Sequence, residues 1–414
     1  MSFVNQNNKI LLSVLIPILI LIYCLMMTAL SRGMGESFGV FLLPLSSHFS
    51  WDRASVASIY SFYMVSLGLG SLISGVLFDR YGPKFNYMFG MGLLTIAYGF
   101  SGYLNSIWQF YAILSLFGGI GAAMVGVIPA QSLISRWFDK NLGSALSVAY
   151  SGQGLGVLIL APISQLSIDK YGWQLSYNYV AIVFLLLFFL ALILPWKFIA
   201  NGSINNPRKA KNGKMSGGIS LSEALKTNVF WGFFFIFGFT AIGIFGISLQ
   251  VVAYLIYIGF SEVEAAFSFG IAGMLSFAGM AVTGFAADRW PRHIVATVSY
   301  ALSFIGIISL ALLQIYPSKL FLFIFILGFG LSAGARGPII TTLMAKIFSG
   351  KGLASIYGAS NLGQGLGAAI GAFSAGLLFD LTGDYNSGFI LCSVFTFLGA
   401  LLFWMVPQIR NTKN

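Results

Sequence analysis

Apolar runs of about 20 or more residues follow one another along this chain, parted by short polar turns. Backbone in hydrocarbon must satisfy its own N–H and C=O groups, so such a chain folds as helices or as a closed barrel. A barrel needs alternating segments of about 10 residues. The runs here are continuous, which leaves an all-α membrane protein as the fold class. The charged fraction agrees: 8% of the 414 residues, against roughly 25% in soluble domains. The 49 glycines fit close helix packing in lipid.

The spacing predicts twelve transmembrane helices, near 10–47, 53–78, 84–104, 107–136, 141–168, 174–199, 227–259, 262–287, 293–315, 319–347, 352–379 and 386–407. The first is too long for one straight span at 1.5 Å per residue, so a bend is expected near Ser31, Gly33 and Gly35. It reads as a helix rather than a signal peptide, because no small-residue cleavage site ends it. The hydrophilic stretch 200–226 divides six spans from six. The expected organisation is therefore a six-helix bundle over 1–199, a cytoplasmic linker over 200–226 with a short helix near Leu221 to Leu225, and a second bundle over 227–414.

The net charge of +11 is explained by loops. With both ends in the cytoplasm, 17 of the 22 Lys and Arg fall on that side, three (Arg53, Lys170, Lys319) fall outside, and Arg32 and Arg336 stay within apolar spans. This bias is that of a multi-pass inner-membrane protein and leaves no basic surface for nucleic acid. Cys24 and Cys392 lie in apolar runs and make neither a disulfide framework nor a metal site. No nucleophile–base set appears in any loop, so neither an enzyme nor a cofactor is expected, and the chain reads as a monomer whose surroundings are membrane lipid.

The halves repeat. Gly152-Gln153-Gly154-Leu155-Gly156 returns as Gly363-Gln364-Gly365-Leu366-Gly367, an offset of 211; Asp169 and Gly172 return as Asp380 and Gly383. Gly75, Asp79 and Arg80 return as Gly284, Asp288 and Arg289, an offset of 209. A parallel repeat of six helices is the pattern of carriers whose halves rock about a central site.

A charged side chain near the bilayer centre costs at least about 2.5–3.5 kcal/mol and is kept where it faces a cavity, a partner or a polar substrate. Arg32 and Arg336 therefore point to an anion path. Glu36, placed deep in the membrane, follows Arg32 by four residues and shares its helix face. Either the two form a compensated ion pair, or Glu36 binds a proton and competes with the substrate anion for Arg32. Two arginines with an ionised glutamate carry net +1, which suits a monocarboxylate; with Glu36 neutral the site would also suit a dicarboxylate. Tyr60, Tyr150, Gln250, Tyr254, Tyr357 and Asn361 are further candidates to line the site.

The string Gly75-Val-Leu-Phe-Asp79-Arg80-Tyr-Gly82-Pro83-Lys84 resembles the loop motif of the major facilitator superfamily. The resemblance implies two six-helix bundles working by alternating access. It also implies a cytoplasmic gate in which Asp79 and Arg80 meet Arg136 and the start of the eleventh helix, and Asp288 and Arg289 meet the start of the fifth and Lys346. Within that superfamily the chain resembles monocarboxylate porters and oxalate/formate exchangers, through Phe38-Gly-Val-Phe41, Phe49-Ser-Trp-Asp-Arg53, Arg136-Trp-Phe138, Gly172-Trp173 and Gly334-Ala-Arg336-Gly-Pro338. It departs from both. The eighth and eleventh helices hold no interior cation, and Glu36 stands where monocarboxylate porters carry a lysine. The expected function is secondary transport of a small organic anion, by proton symport or anion exchange. A proton-coupled exporter of drugs or hydrophobic compounds, or a non-transporting sensor on a carrier scaffold, are the alternatives. Buried arginines outnumbering Glu36 disfavour the first, and the short ends disfavour the second.

Overall fold

The computed structural model describes residues 2–51, 53–139, 141–202, 219–348, 350 and 352–410, with side chains omitted at 2–14, 42–43, 53–54, 57, 249, 262–263, 266 and 380. Linker residues 203–218, with Arg208, Lys209, Lys211 and Lys214, lie outside the described residues, as do Lys140, Lys351 and Lys413 and the side chains of Lys9, Arg53 and Asp380.

Every regular element among the described residues is helical. In order they are α1 Ser2–Glu36, α2 Phe38–Phe49, α3 Arg53–Ser101, α4 Ile107–Phe110, a π-helical turn Tyr111–Phe117, α5 Gly118–Val125, α6 Val127–Trp137, α7 Leu142–Ile193, α8 Trp196–Asn201, α9 Leu221–Ala224, α10 Asn228–Tyr257, α11 Glu262–Arg289, α12 Arg292–Ile315, α13 Lys319–Ala333, α14 Arg336–Ile347, α15 Leu353–Thr382, α16 Asn386–Met405 and α17 Pro407–Arg410. Among the described residues, ten stretches are long and apolar enough to cross a membrane. Two of these, Ser58–Ser101 and Leu142–Ile193, break at Gly82 and Gly172. Their φ values of 83° and 82° are left-handed and cheap only for glycine. Each break turns one long helix into two rods.

Polar starts are capped as the sequence dictates. Ser261 and Glu264 bond each other's backbone N–H at 3.2 and 3.3 Å, and Ser220 with Glu223 does the same for the short helix α9 expected in the linker. The first span breaks at Ser37, two residues past the expected Gly35. There the Ser37 hydroxyl and N–H both donate to the Gly33 carbonyl, at 2.7 and 3.0 Å. The hydroxyl thus adds a second bond to a carbonyl that already accepts the helical one, and Glu36 is the last residue of α1.

Glycines set the close crossings. A Cβ on Gly33 would lie 2.5 Å from Gly156 Cα, so α1 touches α7 backbone to backbone. Around this contact the first half is sealed by stacked rings such as Phe41 on Tyr177, with centroids 4.1 Å apart. Between halves, α3 crosses α15 where Gly68 meets Gly365, and α11 crosses α7 where Gly284 meets Gly143 and Ser147.

Candidate functional site

Arg32 lies near the end of α1 and its side chain is 11% exposed. Its Nη2 meets Glu36 Oε1 at 2.9 Å, and the Tyr60 hydroxyl donates to the other carboxylate oxygen at 2.5 Å. Arg32 Nη1 is buried and has no acceptor. The fourth span breaks beside it, at Gly126, where a Cβ would come 3.5 Å from Arg32 Cγ and 3.0 Å from Ser31 Oγ. The second part of that span, α6, therefore starts at Arg32 and presents the positive end of its dipole there. Tyr60 stacks between Phe38 and Tyr63, at 5.9 and 6.1 Å. Next to this stack is a cavity of about 10 Å³, the room of one water, walled in part by Tyr60, Tyr63, Tyr98 and Tyr177. The hydroxyls of Tyr63 and Tyr177 are buried and unpartnered.

Arg336 is the first residue of α14, at the break in the tenth span, and is 1% exposed. Its Nε donates to Ser299 Oγ and its Nη2 to the Ser299 carbonyl, both at 3.2 Å; Nη2 also donates to Ser303 Oγ. The guanidinium lies 4.1 Å from the centroid of the Tyr300 ring. Each of these partners is neutral, so the positive charge of Arg336 is not cancelled by any of them. The two breaks correspond. Pro129 and Pro338 are each the third residue of the half-helix that follows, at the 209 offset of Asp79 and Asp288. Discontinuous helices of this kind place helix ends at the sites of carriers.

Tyr150 links the two regions. It is 6% exposed, accepts from Gln131 Nε2, and packs over Gly337, where a Cβ would come 2.8 Å from its ring. Tyr357 bridges the halves too, 3.2 Å from Ser135 Oγ and donating to the Thr341 carbonyl at 3.1 Å. Asn361 donates to the Tyr357 carbonyl at 2.9 Å. Sequence reasoning passed over Gln131, Ser299, Ser303 and Tyr300. Gln131 was findable as a lone amide in an apolar span, and its Oε1 is buried without a partner.

Gln250 and Tyr254 stand elsewhere. Gln250 Nε2 lies over Gly376 of α15. Tyr254 is fully buried, donates to the Leu310 carbonyl at 2.5 Å and packs on Tyr385 and Phe389. Tyr254→Phe should lower stability by about 1 kcal/mol, the net worth of one hydrogen bond. Thermal unfolding would register it; a changed KM at unchanged stability would show that the hydroxyl serves the substrate instead.

The gate residues separate into two groups. Asp79 Oδ2 accepts the Ser355 N–H and hydroxyl, both at 2.7 Å, at the start of α15. Asp288 accepts the N–H groups of Gly143 and Ser144 at 2.9 and 2.8 Å and the Ser144 hydroxyl at 2.7 Å, at the start of α7. Each carboxylate thus sits at the positive end of a helix from the other half, and Ser144 and Ser355 are themselves 211 apart. Arg136 stands within electrostatic reach of Asp79 and donates to the Ala200 carbonyl at 3.0 Å. Arg292, which the sequence did not single out, stands so to Asp288. Arg80 and Arg289 turn outward onto the rings of Tyr81 and Phe285, at 5.2 and 3.5 Å.

Chemically, the arrangement offers an unpartnered guanidinium N–H beside a carboxylate. A second uncancelled cation and two half-helix starts add positive potential. All of these favour an anion. Among the described residues no group of three or more His, Cys, Asp or Glu could hold a metal.

Long apolar helices, a parallel repeat and reciprocal contacts between halves define a multi-pass membrane protein. Residues 21–372 match the sequence model of the Major Facilitator Superfamily, and the chain belongs to that family. It is 26% identical over 386 residues to an uncharacterized MFS-type transporter of Bacillus subtilis, covering 91% of this chain and 92% of the relative. It is 24% identical over 389 residues to monocarboxylate transporter 13 of Bos taurus, covering 92% and 87%. Among solved structures, it matches a proton:xylose symporter of the superfamily with a TM-score of 0.76 at 14% identity, over 93% of this chain and 94% of that one. It also matches the E. coli fucose:proton symporter with a TM-score of 0.69 at 14% identity, over 94% and 98%.

Proposed function

We infer that this protein is a secondary transporter of a small organic anion, a monocarboxylate before a dicarboxylate, coupled to protons through Glu36. One observation carries the reading: Arg32 holds Glu36 with one nitrogen and leaves the other buried without an acceptor. A buried guanidinium N–H without a partner costs about 1–3 kcal/mol or more, and a carboxylate cargo would relieve it with fork geometry. The relatives named monocarboxylate transporters support the cargo class. The neighbours titled proton symporters show the same fold, and proton coupling rests on Glu36 itself.

In this mechanism a proton on Glu36 frees Arg32 to grip the cargo, with Tyr60 as the fixed hydrogen-bond partner of the carboxyl group. Arg336 from the second half and Tyr150 from the first complete the grip. Loss of the proton on the inner side returns Arg32 to Glu36 and expels the anion. The latched face is then the cytoplasmic one, at the cell membrane, and the described conformation is closed on that side.

The test is Glu36→Gln in proteoliposomes, with labelled pyruvate, lactate, formate and oxalate as probes. Accumulation driven by an acidic outside should fall to the equilibrium level, while exchange of internal for external substrate at one pH should persist. Wild-type uptake that ignores the pH gradient would remove the proton. A variant that still accumulates would remove Glu36.

A further inference from the structure

The outer wall of the first half carries a groove that the transport reading does not use. Its volume is about 540 Å³, and it runs along α3 from Tyr81 and Lys84 through Phe85 and Phe89 to Ile96, with Phe188 of α7 as the far edge. Phe85 and Phe89 are 41% and 47% exposed. From Lys84 to Ile96 the helix rises about 18 Å, enough to follow a chain through one leaflet of a ~30 Å hydrocarbon core. Gly92 is on its wall, and a Cβ there would meet nothing within 4 Å.

The mouth of the groove is cationic. Lys84 lines it, and the Arg80 guanidinium rests on Tyr81, another lining residue. No carboxylate lines it, because Asp79 is turned into the latch. Arg80 is thus the part of the loop motif that the gate leaves over.

Among the described residues, the matching surface of the second half is covered. At the 209 offset Asn86, Tyr87 and Gly90 correspond to Val295, Ala296 and Ser299, and all six are buried. The groove residues Lys84, Met88 and Gly92 then correspond to His293, Thr297 and Ala301. There Trp404 of α16 fills the space, its indole N–H donating to Thr297 Oγ1 at 2.9 Å and its ring 5.0 Å from His293. The counterpart of Trp404 at the 211 offset is Ile193, which is 82% exposed and covers nothing.

We propose that this groove is a binding site for one anionic phospholipid, with an acyl chain along Phe85, Phe89 and Gly92 and the phosphate between Lys84 and Arg80. An opening with a cationic mouth in one half, closed by a tryptophan in the other, is a built site rather than general lipid contact. Each cation near a membrane surface is worth about fivefold in binding of an anionic headgroup.

The test places wild type, Gly92→Leu, Lys84→Gln and Arg80→Gln in vesicles of equal phosphatidylglycerol and phosphatidylcholine, extracts them mildly, and counts retained lipids by native mass spectrometry. Wild type should retain one phosphatidylglycerol well above its bulk share. Gly92→Leu, which adds bulk into open space, should lose it with an unchanged Tm, and each charge variant should weaken it about fivefold. Bulk composition on wild type overturns the proposal. So does retention by Gly92→Leu, which would leave only a surface charge effect.

Discussion

Arg32→Gln should abolish most transport: uptake of the wild-type cargo in proteoliposomes falls by about 100-fold. Removing one partner of a buried, hydrogen-bonded charge pair costs about 2–5 kcal/mol. Here the loss strands Glu36 and deletes the unpartnered Nη1 together. Arg32→Lys keeps the charge but not the fork, and should recover part of the loss. Arg336→Gln should cost less, about tenfold, because Ser299, Ser303 and Tyr300 remain as neutral polar groups around the site. Tm separates these effects from misfolding. A folded Arg32→Gln protein that transports at the wild-type rate sinks the anion site.

The second large effect concerns the latch. Asp79→Asn and Asp288→Asn each remove an anion that accepts two or three hydrogen bonds at a helix start of the other half. Asn keeps one acceptor oxygen, so the net loss is about one hydrogen bond to a charged group, about 1.5–3 kcal/mol, and each variant should shift the closed-to-open ratio on that face by roughly 10- to 100-fold. The two sites share no partner, so the double variant should combine both shifts. Spin labels on either side of the latched face, read by pulsed electron paramagnetic resonance, report the distance. A distribution centred on the closed distance in the double variant would mean that glycine packing, not the carboxylates, holds this face shut.

The two arginine sites differ in how far the sequence reaches. Arg32 and Glu36 are one turn apart on a single helix, so their pairing followed from spacing, and the structure has them at 2.9 Å. The spacing of Arg336 offers no such partner, and its ligands come from α12, some 33 to 37 residues earlier. The gate shows the same division. Asp79 and Asp288 were legible through the repeat, while Arg80 and Arg289, equally legible, face outward. Their direction depends on which side of the turn the helix shows to its neighbour, and no local pattern in an apolar rod encodes that. Gln250 and Tyr254 are four residues apart on one helix, yet Tyr254 reaches α12 and Gln250 lies on α15.

The all-helical fold and the parallel repeat were legible in the sequence alone, since oil forces each backbone group to find its partner within a few residues. The same holds for the shared helix face of Arg32 and Glu36, and for the span boundaries that fall at Gly82 and Gly172. Tertiary structure alone decided which hydroxyls hold Arg336, that the fourth and tenth spans break beside the two arginines, and that the latch serines are Ser144 and Ser355. Those contacts join rods far apart in the chain. They are set by how each rod is rotated and how closely glycine lets it approach, and lipid supplies no pattern of burial along the chain from which that rotation could be read.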